Sequence, residues 1–218
     1  MADERDPHAR LINDLARDLV PVRTLRAPWL RANCWIAVLV TAAAMLASQG
    51  DVVALGDPVV AEPINLGVLL GSALTAILAA IAAVESTVPG RAAQWNLLPI
   101  PPLVFWIMFS GLGCLGNSVG EAAQPVSLRV ALRECLPFLL MVSLPLFILL
   151  MILLRRGFAA RPANTATLCG LAAAAGAATL LSFIHPFDLS AIDLLVHGLA
   201  ISGIIIAGRH FGYRWLGG

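Results

Sequence analysis

The stretch Leu136–Leu154, LPFLLMVSLPLFILLMILL, decides the fold class because it contains no charged side chain from end to end. An α-helix rises about 1.5 Å per residue and the hydrocarbon core of a bilayer is about 30 Å thick. A crossing therefore needs about 20 mostly apolar residues. The stretch has the length and the composition of a transmembrane helix.

Five further apolar stretches of similar length are bounded by charges, Pro or Gly. Together they predict six spans, at about 32–48, 64–84, 97–115, 136–154, 166–184 and 191–208. Of the 218 residues, 59% are hydrophobic and only 12% are charged, a balance that leaves too little polar surface for a domain in water. Short connections predict antiparallel neighbouring helices. The fold class is all-α, a polytopic membrane protein with a six-transmembrane-helix bundle.

The arginines indicate how this bundle is oriented. All 14 basic residues are arginines, and only Arg129 and Arg133 lie on one side of the predicted spans, while the others lie on the opposite side. The positive-inside rule predicts that the arginine-rich side is cytoplasmic. We therefore expect both termini in the cytoplasm, with a segment 1–30 before the bundle 31–211 and a short tail at 209–218.

Before the first span, residues 7–20 have the pattern of an amphipathic helix that Pro21 stops. Apolar and charged residues occupy opposite faces of this helix. A helix this short is marginal alone in water, so its apolar face needs a surface to pack on. That surface is either the membrane and bundle or a groove of another protein. The polar face carries both signs of charge, whereas membrane-surface helices are usually cationic.

Four short segments of the chain match a known pattern, in the same order. They are LINDLARDLVPVR at 11–23 followed by Pro28, LRECL at 132–136, RRG at 155–157, and Gly208-Arg209 with Arg214-Trp215. This series resembles the NrsF-like family of bacterial inner-membrane anti-sigma factors, and the six spans and the total length also fit that family. The resemblance covers nearly the whole chain.

The resemblance implies a membrane-bound anti-sigma factor that sequesters an extracytoplasmic-function sigma factor and releases it on an envelope or oxidative stress signal. The sigma factor and the lipid bilayer would be its partners. With a net charge of +1 and no basic block, direct nucleic-acid binding is not expected. The residues implied to bind the partner are Arg10, Leu11, Ile12, Asp14, Leu15, Arg17, Asp18, Leu19 and Pro21.

Two functions of other classes remain as alternatives, a small transporter and a ligand-binding or metal-binding redox sensor without a sigma partner. The sequence has no Gly-rich phosphate loop, Ser-His-Asp order or HExxH motif, so no enzyme is predicted. No cofactor is predicted either.

Five residues near the predicted outer face are candidates for sensing a signal. They are Cys114, Cys135, His185, Asp193 and His197. The family pattern implies a second cysteine after the fifth span, but this chain has His185-Pro186 there, so Cys135 lacks that partner. Such a set could bind a soft metal or a redox cofactor. Asp193 and His197, four residues apart, could instead hydrogen-bond each other between helices.

Small and aromatic residues give two packing expectations. Gly67-xxx-Gly71 and the stretch 170–178 are expected where helix backbones approach closely. Most tryptophans, including Trp35 and Trp106, are expected near span ends, where amphipathic rings prefer the membrane interface.

Overall fold

The computed structural model describes residues 7–17, 27–48, 62–119, 133, 136–155, 157, 159, 161–184 and 191–216. Within these ranges it contains seven α-helices and no β-strand. The helices are α1 Pro7–Arg17, α2 Pro28–Ala47, α3 Pro63–Glu85, α4 Ile100–Val119, α5 Leu136–Leu154, α6 Pro162–Leu181 and α7 Ala191–Leu216, and a short 3-10 helix, Ala93–Leu97, precedes α4. The prediction of an all-α fold is confirmed.

Helices α2 to α7 supply six segments that are long and apolar enough to cross a membrane, as predicted. Some of their ends differ from the predicted ones. Helices α2 and α6 begin four residues early, at Pro28 and Pro162, because proline in the first turn lacks only an N–H that has no intrahelical partner there. Helix α7 continues through residues 209–216, which the sequence assigned to a tail after the last span.

Helix α6 lies at the centre of the bundle. Every residue from 168 to 181 is buried. Of the six spans, α6 nevertheless has the smallest share of large apolar side chains. It packs against α3, α5 and α7 and also contacts α2, while α4 packs mainly against α3. Alanine and glycine make this arrangement possible because small side chains let several backbones approach one helix closely.

Glycines mark the closest helix crossings. A Cβ atom on Gly71 would lie 2.8 Å from Trp106 Cα of α4, and one on Gly67 would overlap the ring of Phe109. A Cβ on Gly170 would lie 3.0 Å from Ile205 Cα of α7. The expected close packing at Gly67-xxx-Gly71 and in the stretch 170–178 is therefore confirmed.

Trp35 was expected near a span end at the membrane interface, but its ring is packed inside the bundle. Its side chain is fully buried, and its indole Nε1–H donates a hydrogen bond of 2.9 Å to the carbonyl oxygen of Leu146 in α5. The ring lies next to Gly176 of α6, where a Cβ would be in ordinary van der Waals contact with it at 3.5 Å. Trp106 is also buried. A tryptophan can leave the interface where a neighbouring helix accepts its N–H.

Buried hydroxyl groups add hydrogen bonds between helices. Thr179 of α6 donates to Ser72 of α3 across 3.1 Å, and Ser86 and Thr165 join the ends of the same two helices across 2.8 Å. These hydroxyls also bond backbone carbonyls in their own helices, as Thr179 does with Ala175. Side-chain hydrogen bonds between membrane helices contribute about 0.6–2 kcal/mol each.

Adding one methyl group at a helix crossing should destabilise the bundle. We expect Gly71→Ala to lower the free energy of unfolding by about 1–3 kcal/mol, because the new Cβ meets backbone atoms that cannot move aside. Gly111→Ala is the matched control, since nothing lies within 4 Å of its Cβ position. That control should be neutral or stabilising through its higher helix propensity. Unfolding in detergent micelles measures both, and equal effects would contradict this packing.

Removing the indole N–H should weaken the contact between α2 and α5. We expect Trp35→Phe to cost about 1–2 kcal/mol, because the carbonyl of Leu146 loses its side-chain donor and the smaller ring leaves a void. Trp29→Phe is the control, since Trp29 is 64% exposed. Thermal unfolding of the two purified variants should separate them, and a Trp35→Phe protein as stable as the control would be inconsistent with this bond.

Candidate protein-binding surface

The amphipathic helix predicted near the N-terminus is present as α1. Leu11, Ile12 and Leu15 share one face and are 58%, 64% and 61% exposed. We call these three side chains the apolar stripe of α1. Isolated helices of this length are marginal in water, so the stripe has the composition of a surface that is covered by another structure.

The opposite face of α1 is charged. Arg10, Asp14 and Arg17 are exposed and follow one another at helical spacing, so their charges alternate in sign along one row. Such a row favours one register on a partner with the complementary charge pattern. The other implied partner-binding residues, Asp18, Leu19 and Pro21, lie outside the described residues.

The ends of several spans meet at one end of the bundle. Arg31 near the start of α2 contacts Thr87 after α3, Ser86 contacts Thr165 near the start of α6, and a Cβ on Gly212 of α7 would lie 2.5 Å from Ala166. We call this the arginine-rich end; its arginines in the described ranges are Arg31, Arg91, Arg155, Arg161, Arg209 and Arg214. The chain that precedes α2 therefore leaves the bundle here.

A charged cluster lies inside the arginine-rich end. Arg31 is only 8% exposed, and its Nη1 donates to Thr87 Oγ1 across 3.4 Å. The carboxylate of Glu85 lies close enough to attract the charge of Arg31, yet it forms its ion pair with Arg91, at 2.7 Å between Nε and Oε2. The guanidinium of Arg91 also lies 5.1 Å from the ring centre of Trp95. We call Arg31, Glu85, Thr87 and Arg91 the Glu85 cluster.

Sequence reasoning missed the Glu85 cluster because it treated these arginines as topology signals only. The available signal was an arginine directly before the first predicted span, together with a carboxylate directly after the second. A charge in that position is costly unless a partner accepts it. Which helix end supplies the partner depends on how the spans pack.

The candidate sensing residues are only partly described. Cys114 is half-buried on α4 and His197 is half-buried on α7. Cys135, His185 and the side chain of Asp193 lie outside the described residues, so their proximity stays a prediction. Among the residues that the structure does describe, no group of three or more His, Cys, Asp or Glu side chains could hold a metal ion.

Comparison with known proteins gives one match, to a family. The family model described as NrsF, negative regulator of sigma F, matches residues 15–217. No curated protein and no solved structure matches the chain. The match includes all six candidate spans and begins at Leu15 within α1. It indicates negative regulation of a sigma factor, which is not an enzyme class, and it confirms the resemblance noted in the sequence. The chain belongs to the NrsF family of negative regulators of sigma F.

Proposed function

We propose that this protein is an anti-sigma factor that holds an extracytoplasmic-function sigma factor at the bacterial inner membrane through its N-terminal segment, residues 1–30. The observation that carries the proposal is the apolar stripe of α1, exposed in a member of a family that regulates a sigma factor. The excess of arginine at the end from which this segment leaves the bundle supports a cytoplasmic location. A sigma factor works in that compartment.

The apolar stripe supplies the binding energy in this proposal. Leu11, Ile12 and Leu15 would enter a groove of the sigma factor, as an amphipathic helix does in many complexes. Each fully buried side chain of this kind contributes about 1.5–3 kcal/mol before the costs of ordering and association. Leu19 and Pro21 would extend the contact, while Arg10, Asp14, Arg17 and Asp18 would determine register and specificity.

Sequestration follows from the six spans. A sigma factor bound to α1 is tethered to the bilayer and cannot join RNA polymerase in the cytoplasm. Release requires a signal that binds or modifies one state of the regulator in preference to the other, because a stimulus without such a preference shifts no equilibrium. The outer residues Cys114, Cys135, His185, Asp193 and His197 are our candidates for receiving an envelope or oxidative stress signal.

A single charge placed in the apolar stripe should strongly weaken the complex. We expect Leu15→Asp to weaken sigma-factor binding at least about 30-fold, because a central anchor of this size contributes about 2 kcal/mol or more. Asn13→Asp is the matched control: it adds the same charge on another exposed face of α1. Co-purification in detergent with the sigma factor of the same operon measures the difference.

Two results would contradict the proposal. One is full binding by Leu15→Asp at normal protein levels. The other is the absence of any complex with the folded wild-type protein, which would favour the small transporter or redox sensor without a sigma partner. Repression of a sigma-dependent promoter in cells should follow the binding result in both variants.

The orientation has its own test. We expect alkaline phosphatase, which is active only outside the cytoplasm, to be active when fused after residue 124 and inactive when fused after residue 159, because the two fusion points lie on opposite sides of the fourth span. A green fluorescent protein at the C-terminus should fluoresce. The reverse pattern of phosphatase activity would place the N-terminal segment on the wrong side for a sigma factor.

A further inference from the structure

Glu85 pairs with one arginine and attracts a second, and the two differ greatly in exposure. The Arg91 side chain is 45% exposed and the Glu85 side chain 13%, and their ion pair spans 2.7 Å. The Arg31 side chain is buried at the same end of α3, where it bonds Thr87, two residues after Glu85, and is attracted by the Glu85 carboxylate. Two cations thus have access to one carboxylate, and the exposed one holds it.

Arg31 is poorly satisfied in this arrangement. Its bond to Thr87 is long at 3.4 Å, and within the described ranges its Nε donates no hydrogen bond. Glu85 Oε2 accepts none either, because Arg91 is close enough for an ion pair but not directed for a hydrogen bond. Among the described residues, a buried donor of Arg31 and a buried acceptor of Glu85 therefore lack hydrogen bonds in the same cluster, which is costly in a low-dielectric site.

The end of α3 is held firmly on its other sides. Ser86 bonds Thr165 of α6 across 2.8 Å, and Thr87 donates to the carbonyl of Val84 across 2.7 Å. Thr87 also packs on Gly157, where a Cβ would approach to 2.8 Å. Since α3 is fixed to α6 in this way, a change in the Glu85 cluster would move the start of α2 rather than the end of α3.

We propose that Arg31 and Arg91 compete for Glu85, and that Arg31 is thereby the residue that positions the start of α2. In the arrangement described here Glu85 pairs with Arg91, and the bond of Arg31 to a described residue is the one to Thr87. In the other arrangement Glu85 turns to Arg31 and clamps the beginning of α2 against α3. The inference rests on the proposed function for its consequence, which is that the two arrangements present the N-terminal segment differently to the sigma factor.

Hydrogen exchange in the purified full-length protein tests the competition without any partner. The first N–H groups of a helix have no intrahelical partner and exchange freely, so they would not report the change. The amides to follow are those of residues 32–38, which come next in α2. We expect Glu85→Gln to speed their exchange about fivefold and Arg91→Gln to slow it about fivefold, the low end of coupling between sites. Arg91→Gln slows exchange because it leaves Glu85 to Arg31.

The opposite signs distinguish competition from simple bracing. If the pair of Glu85 and Arg91 only stabilised the fold, both variants would speed exchange, and that result would overturn the proposal. Unchanged exchange in Arg91→Gln would overturn it as well. Arg155→Gln removes the same charge from an exposed position at the same end and should change nothing. Arg31→Lys should retain more protection than Arg31→Gln, because lysine keeps the charge that Glu85 attracts.

The exchange and binding measurements can fail independently of each other. Arg91 is exposed enough for its variant to fold, so the sign of its effect decides the matter even if Glu85→Gln does not fold. Hydrogen exchange is measured without a sigma factor, so the absence of a complex would refute the proposed function while leaving the exchange result intact. If the complex forms, Glu85→Gln and Arg91→Gln should shift its affinity in opposite directions, and shifts of the same sign would refute the link to the N-terminal segment.

Discussion

Close approach of backbones to α6 is the constraint on which the bundle depends, because lipid gives apolar helices no hydrophobic reason to associate. Dispersion contacts and internal hydrogen bonds must therefore hold the helices together, and both act only at short range. Alanines and the glycines Gly170 and Gly176 let α6 meet four other spans along its length. Large side chains then fill the space between neighbouring helices, as Trp35 does beside Gly176.

The same constraint concentrates charge at the ends of the bundle. Several polar groups inside the spans are hydroxyls that bond their own helix and a neighbouring one, as those of Ser72 and Thr179 do. The buried charged residue Arg31 lies one turn inside α2, where the end of the antiparallel α3 brings Glu85 and Thr87 to it. Tight packing around α6 thus leaves the Glu85 cluster as the part of the described bundle with unsatisfied polar atoms.

Membership of the NrsF family connects this architecture to a regulatory role. A negative regulator needs a surface that binds its target and a body that can change that surface. Helix α1 has the exposed apolar stripe of a binding element. The Glu85 cluster lies at the start of α2, the first span after α1, and our proposal is that a change there alters how α1 is presented.

The sequence by itself determined the all-α fold, the six spans, the amphipathic α1 and the family resemblance. Composition, helical periodicity and span length are local properties, and lipid restricts a chain of this kind to helices. Only the tertiary structure decided that α6 is central, that Trp35 is buried, and that Arg31 meets Thr87. These depend on which helix faces meet, and spans that are apolar on all sides carry little periodic signal to indicate those faces.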